Sequence, residues 1–284
     1  MRIAPVEPGL VERAREGDLR ALDLLLHTIQ PGVINLAVRM LGNKDDARDA
    51  TQEILLKVTT HLGAFRGEAA FTTWVYRVAK NQLLGAITRA REVPEVSFES
   101  LGETLRAGLE LGRATWEGAS LTPEDKAQAR EMAVTCTQGM LMRLDREHRM
   151  AYLLDAVFGL GSDDAAQVLE IRPAAYRKRL SRARAALEGF AGGACGLANR
   201  EAPCRCDKQV HAVQVLRRRG AVRAPDLALD GPDRDAAAVA LDRVLAMSDI
   251  AAVIRSHPQY RAPEAMVAAI RAVVTAHDAG GNAH

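Results

Sequence analysis

The sequence predicts an all-α protein built from several small domains. Apolar residues recur at helical spacing through most of the chain, and the first ninety residues show no alternating strand pattern. Ala, Leu and Arg abound while aromatics make up only 4%, a balance that favours helices. A chain of 284 residues with a 48% hydrophobic share can bury more than one core.

Residues 10–26 read as a helix pair broken at Gly17–Asp18, with Asp18 as the N-cap of the second helix. Pro31–Gly32 is expected to interrupt, after which Val33, Ile34, Ala37, Val38 and Leu41 repeat up to Gly42. Asn43 then caps a further helix, Asp45 and Asp46 suit its positive end, and Gly63 closes it. Its apolar stripe is Ile54, Leu55, Val58 and Leu62, which leaves Asp46, Asp49, Gln52 and Glu53 on the polar side. Another helix starts at Thr72 or Thr73. Residues 92–130 are rich in Glu, Gly, Ser and Pro with weak periodicity, and read as a linker with short helical pieces. Helices resume near 124, and Asp145 caps the next. After Ser162 a short helix, a three-residue turn and a basic helix at 174–190 form a helix-turn-helix pattern. Beyond "AGGACG" lie a cysteine-rich stretch, a loop, and helices expected near 234–247, 249–256 and 263–277.

No window approaches eighteen uninterrupted apolar residues, so no membrane span is expected, and the N-terminus lacks a secretory pattern. A cytoplasmic, reducing location follows as the expectation, in which clustered cysteines point to metal or redox chemistry before disulfides. The net charge of +2 hides two basic strips. In the helix after the turn, Ala175 allows close approach while Tyr176, Arg177, Lys178, Arg179 and Arg182 supply reach and charge for duplex DNA. Earlier, Phe71, Trp74 and Tyr76 interleave with Arg66, Arg77, Lys80 and Asn81, followed by Arg89 and Arg91. Aromatics among cations can stack on unpaired bases while the cations hold the backbone. The competing reading makes both strips ordinary amphipathic helices with solvated basic faces. No HExxH, Gly-rich phosphate loop or Gly-x-Ser-x-Gly elbow occurs, so no enzymatic activity is expected.

"DARDATQEILLKV" and "FRGEAAFTTWVYRVAKNQL" together resemble conserved region two of bacterial sigma factors of the extracytoplasmic-function group. "LDREHRMAYLLDAVFGLGSDDAAQVLEIRPAAYRKRLSRARAAL" resembles their region four. The resemblance covers about 1–190. It implies a region-two domain at 1–91, a linker at 92–130, a region-four domain at 131–190 and a helical extension at 191–284. On this reading Asp46, Asp49, Gln52 and Glu53 dock on the clamp helices of core RNA polymerase. Residues 65–81 with Arg89 and Arg91 melt and read the minus-ten element, extruding a base from the melted strand. The helix at 174–187 reads the minus-thirty-five element in duplex form. The extension then stands in for a separate anti-sigma factor. Two departures from the family pattern stand out: Glu170 and "RPAA" replace the usual turn Gly and the Ser or Thr that opens the recognition helix, and Leu144–Asp145 replaces the usual Leu-Pro at the start of region four, where Asp145 can cap the helix. The alternative is a helix-turn-helix regulator that binds duplex DNA without polymerase and carries a metal- or thiol-sensing tail.

Cys195, Cys204 and Cys206 with His211 can form a Cys3His site for zinc or copper(I). Arg200, Arg205 and Lys208 can instead activate a redox thiol, or the cluster can serve packing alone. Cys136 is expected only to pack.

Overall fold

Residues Leu19–Leu41 form one helix that continues through Pro31. In a computed structural model describing residues 2–89, 97–115, 122–218 and 249–281, this helix is the spine of the first of two compact units. That unit is drawn from Met1–Arg91, Met150–Leu180 and Gln259–His284. Its helices are α1 (Pro8–Arg15), α2 (Leu19–Leu41), α3 (Lys44–Thr60) and α4 (Phe71–Arg89), with a 3-10 turn at Leu62–Ala64. Further along come the end of α7 (Arg146–Tyr152), a π-turn at Leu153–Val157, α8 (Ser162–Leu169) and the start of α9 (Pro173–Ala194). The last helix, Ala265–Gly281, belongs here too.

Pro31 does not break α2, contrary to the sequence expectation. A helix-interior proline costs about 3 kcal/mol. Every residue from Gly32 to Met40 is buried, however, and each large apolar side chain so buried contributes roughly 1.5–3 kcal/mol. By length and composition α2 could also cross a membrane, but 72% of its most apolar window is buried against the rest of the protein, as in a core helix. Asp18 caps it by accepting from the Arg20 and Ala21 N–H groups, after a left-handed Gly17. Gly32 is required by close packing, because a Cβ there would meet the Ile3 backbone at 3.0 Å. Ile3 is itself buried and donates its N–H to the Tyr76 hydroxyl at 3.0 Å.

Asn35 lies within this apolar run and is fully buried. Its side-chain amide donates to the Tyr260 carbonyl (2.9 Å) and accepts from the Tyr260 N–H (3.1 Å). Lys44 lies over the Tyr260 ring, and Arg271 pairs with Asp23. The segment from Gln259 therefore packs on α2 and α3, with Met266, Val267 and Ile270 buried at helical spacing.

The second unit is drawn from Glu92–Arg149 and Ser181–Pro258. It holds α5 (Phe98–Thr115), α6 (Pro123–Met142), the rest of α9, α10 (Cys206–Arg218) and α11 (Ile250–Arg255). The compact units thus cut across the linear division read from sequence. Within 92–130, expected as a linker, lies the 18-residue α5, whose glycines serve packing rather than flexibility. A Cβ on Gly112 would stand 2.5 Å from the Lys208 carbonyl, and one on Gly108 would collide with Gln209. α5 and α10 therefore approach closely, and Gln209 donates to the Leu105 carbonyl at 2.8 Å. Thr122 and Asp125 form a capping box at the start of α6. Arg149 covers its other end, donating to the Leu141, Met142 and Leu144 carbonyls. The helix expected at 234–247 lies outside the described residues, as does Arg91. Those expected at 249–256 and 263–277 are α11 and the final helix, α12 (Ala265–Gly281).

Replacing Asn35 with Ala removes both of its hydrogen bonds to the half-buried Tyr260 backbone. The expected loss is about 1–3 kcal/mol of unfolding free energy, read from denaturant midpoints. A variant as stable as the parent would show that the Asn35–Tyr260 contact carries no weight.

Candidate nucleic-acid and partner interfaces

α3 presents two faces. Ala47, Ala50, Ile54, Leu55 and Val58 are buried, whereas Asp46, Asp49, Gln52 and Glu53 are exposed. Asn43 caps the helix by accepting from the Asp46 N–H at 2.9 Å. Glu53 also accepts from Gln82 of α4, whose carbonyl oxygen in turn receives Lys57. The result is an acidic and amide surface fixed on a rigid helix.

The strip around α4 divides differently. Arg66 and Asn81 are exposed, while Arg77 and Trp74 are half-buried. Phe65, Phe71 and Trp74 form an aromatic cluster with ring centroids 5.3–5.6 Å apart. Tyr76 is a correction to the sequence reading: it is 1% exposed, edge-on to Phe158, with its hydroxyl held by Ile3. Burial pushes its pKa up to about 12, which the Ile3 N–H partly opposes. The aromatic spacing on α4 did not separate this core residue from its half-exposed neighbour Trp74. Arg89 ends the helix.

Lys80 is buried as well, and its ammonium group meets Glu170 at 2.6 Å. Glu170 is the C-cap of α8, in the turn before α9, and has φ 57°. It is the one non-glycine residue with positive φ among the described residues. A left-handed conformation costs an ordinary residue roughly 1–2 kcal/mol. Glycine would avoid that cost but could not bind Lys80. The hydrogen bond from Lys80 holds the Glu170 carboxyl below its usual pKa, and the charges of Lys80 and Arg77 add to this. Arg77 lines a cleft with Asp163, Gln167, Glu170 and Arg172.

On α9, Ala175, Arg177, Lys178 and Arg182 are exposed and Arg179 is half-buried, giving a basic outer face. Tyr176 is the second correction. It is fully buried and its hydroxyl donates to the Ala151 carbonyl at 3.0 Å, so it anchors the helix rather than facing DNA.

Cys195 and Cys204 are partners in a β-bridge, and Cys206 opens α10. All three are buried and all four cysteines are free. Burial raises the pKa of the Cys136 thiol on α6, and the charges of Cys195 and Cys204 add to this, an association that the sequence does not signal because nothing around Cys136 on α6 is distinctive. His211 stands five residues beyond Cys206, about 140° around the helix, and its charge acts on Asp125. Among the described residues, no group of three or more His, Cys, Asp or Glu side chains could hold a metal ion.

Comparison with known proteins matches two stretches of the chain to one family. Residues 25–93 match the family described as Sigma-70 region 2, and residues 135–187 match Sigma-70, region 4. The RNA polymerase sigma-H factor of Pseudomonas aeruginosa is 31% identical over 63% of this chain and 90% of its own length. The ECF RNA polymerase sigma-E factor of Escherichia coli is 29% identical over 63% of this chain and 91% of its own. Among solved structures, CnrH in complex with the cytosolic domain of CnrY aligns with 64% of this chain and 94% of that one. Its sequence identity is 24% and its TM-score 0.43. The chain belongs to the sigma-70 family of RNA polymerase sigma factors, in its extracytoplasmic-function group.

Glu170→Gly removes the strain and the ion pair together. Because Glu170 is half exposed, stability is expected to change by no more than about 1 kcal/mol, while Lys80 becomes several-fold more reactive to an amine-modifying reagent. The carboxyl titrates below its unfolded value. The pair therefore stabilises the fold above the ordinary glutamate range and ceases to do so as pH falls through the lowered folded value. Glu170→Gln should abolish that acid-side change in the unfolding midpoint. Unaltered Lys80 reactivity in both variants would refute the coupling.

Proposed function

We propose that this chain directs core RNA polymerase to a particular set of promoters, opens them, and is held in check by its own C-terminal extension. One observation carries the reading: the chain exposes two rigid faces of opposite character. The α3 face of Asp46, Asp49, Gln52 and Glu53 suits a protein partner with basic side chains. The α9 face of Arg177, Lys178 and Arg182, with Ala175 at the approach, suits the phosphates and base edges of a duplex.

Melted DNA is assigned to α4 and the loop before it, where Arg66, Asn81 and the half-buried Arg77 and Trp74 remain within reach. Lys80 belongs to the same strip but is engaged by Glu170. Binding of a melted strand would then require that pair to open, a built-in restraint. The grip of Asn35 on Tyr260 supports a role for the extension in the same restraint, in place of a separate anti-sigma factor. This work belongs in the cytoplasm, and the chain itself performs no catalysis.

Run-off transcription with purified core polymerase tests the proposal. The chain is expected to give promoter-specific transcripts. The triple variant Asp49→Ala, Gln52→Ala, Glu53→Ala should lose at least tenfold in affinity for core, about 1.4 kcal/mol. Arg177→Ala should weaken promoter binding and reduce its salt slope by about 1. Sequence-specific duplex binding with no initiation and no retention of core would overturn the proposal in favour of a simple regulator.

A further inference from the structure

Two cations of α4 face the turn that joins α8 to α9. Lys80 is buried, and its Nζ meets the Glu170 Oε2 at 2.6 Å. Arg77, about one helical turn earlier, is half-buried and acts on the same carboxylate through its charge. Its Nε is buried and has no hydrogen-bond partner among the described residues. The cleft at Arg77 is lined further by Asp163, Gln167 and Arg172. The turn holds Glu170 firmly in place. Its N–H donates to the Gln167 carbonyl (3.2 Å), and the Ile171 N–H donates to the Ala166 carbonyl (3.1 Å). Behind the turn, Ala165, Ala166, Val168 and Leu169 are buried, and α8 packs on α4.

Two cations side by side on one helix make a seat for an anion, and the Glu170 carboxylate fills it incompletely. One of its oxygens engages Lys80, while Arg77 keeps a buried donor unmet. A phosphodiester suits the pair better, because its charged oxygens can reach an ammonium group and a guanidinium group together. The backbone supports the same reading. Glu170 adopts φ 57°, where an ordinary residue is strained and glycine is not. The turn alone gives no reason for a glutamate, whereas the seat does: it brings a negative charge to Lys80 in the absence of any ligand.

We propose that Lys80 and Arg77 seat one phosphodiester of a single DNA strand, and that Glu170 occupies this seat in the free chain as a built-in phosphate mimic. The role rests on the assignment of melted DNA to α4 and adds to it a competitor carried by the same chain. No covalent bond changes: one ion pair is exchanged for another, and the released carboxylate turns to solvent. Glu170 is half exposed, so the pair weakens strand binding by no more than about fivefold. That is enough to disfavour chance single strands while leaving a strand held at several other points able to displace the carboxylate. Duplex binding by the exposed Arg177 and Lys178 of α9 does not use the seat.

Fluorescence anisotropy of a labelled single-stranded oligonucleotide, titrated with the full chain, tests the proposal. Glu170→Gln is expected to bind about fivefold more tightly than the parent. Asp163→Asn removes the same charge from the same cleft and should leave the affinity close to that of the parent. Both positions are exposed, so both variants are expected to fold. Adding Lys80→Ala to Glu170→Gln should erase the gain. In the free parent, zero-length carbodiimide coupling read by mass spectrometry should join Lys80 to Glu170, and a saturating amount of the oligonucleotide should suppress the product. Equal affinity of Glu170→Gln and the parent, an equal gain in Asp163→Asn, a coupling yield unmoved by the oligonucleotide, or no strand binding by parent and variants alike would each overturn the proposal. These readouts need neither polymerase nor promoter. A chain that passes them and directs no initiation refutes the promoter role alone.

Discussion

The hydrogen-bonded pair between the Asn35 side chain and the Tyr260 backbone is the contact on which the first unit turns. A helix buried from Gly32 to Met40 needs a wall on every side, and sequence-local helices cannot provide them all. The N-terminal stretch through Ile3 supplies one wall, α3 and α4 others, and the segment from Gln259 another. Asn35 makes that last docking specific. An apolar residue there would bury as well, but would forfeit both hydrogen bonds to the Tyr260 backbone, and polar groups taken out of water are costly without them. Arg39, one turn on, is also fully buried, and burial lowers its pKa to about 10. Asn35 thus encodes a partner far away in sequence, and Arg39 in turn donates to the Asn35 carbonyl and side chain.

Electrostatics then decide which surfaces stay available. Asp46, Asp49, Gln52 and Glu53 keep their exposure because the apolar stripe of α3 faces the other way. The cations of α9 keep theirs because Tyr176 and Leu180 take the buried side. Lys80 is different: its charge is consumed by Glu170. The left-handed residue in the turn is therefore more than a departure from the family pattern. A backbone strain of this size persists only where the side chain gains something by it, and here it gains an ion pair with a buried lysine.

Much of this was legible in the sequence, and the failures have physical causes. Helix caps at Asp18 and Asn43, the stripe of α3 and the helix-turn-helix follow from local rules, and the structure keeps them. Family membership was legible from quoted motifs. Pro31 misled because its cost is local while the burial that outweighs it is global. Gly108 and Gly112 misled because a glycine-rich stretch looks the same whether it bends freely or admits another helix. Tyr76 and Tyr176 misled because an aromatic beside arginines is equally suited to stacking on bases and to filling a core, and only tertiary contact separates the two. Cys136 carries no local signal at all, since its neighbours in the structure lie about sixty residues further along the chain.

The central structural claim is that the stretch after Gln259 is an integral wall of the α2 core. Hydrogen exchange followed by mass spectrometry on the full chain tests it most directly. The account predicts that backbone amides of Val33–Met40 and those of the final helix up to Val273 are protected together and lose protection together in mild denaturant. Exchange of the final helix at the rate of a free peptide, with α2 fully protected, would contradict it.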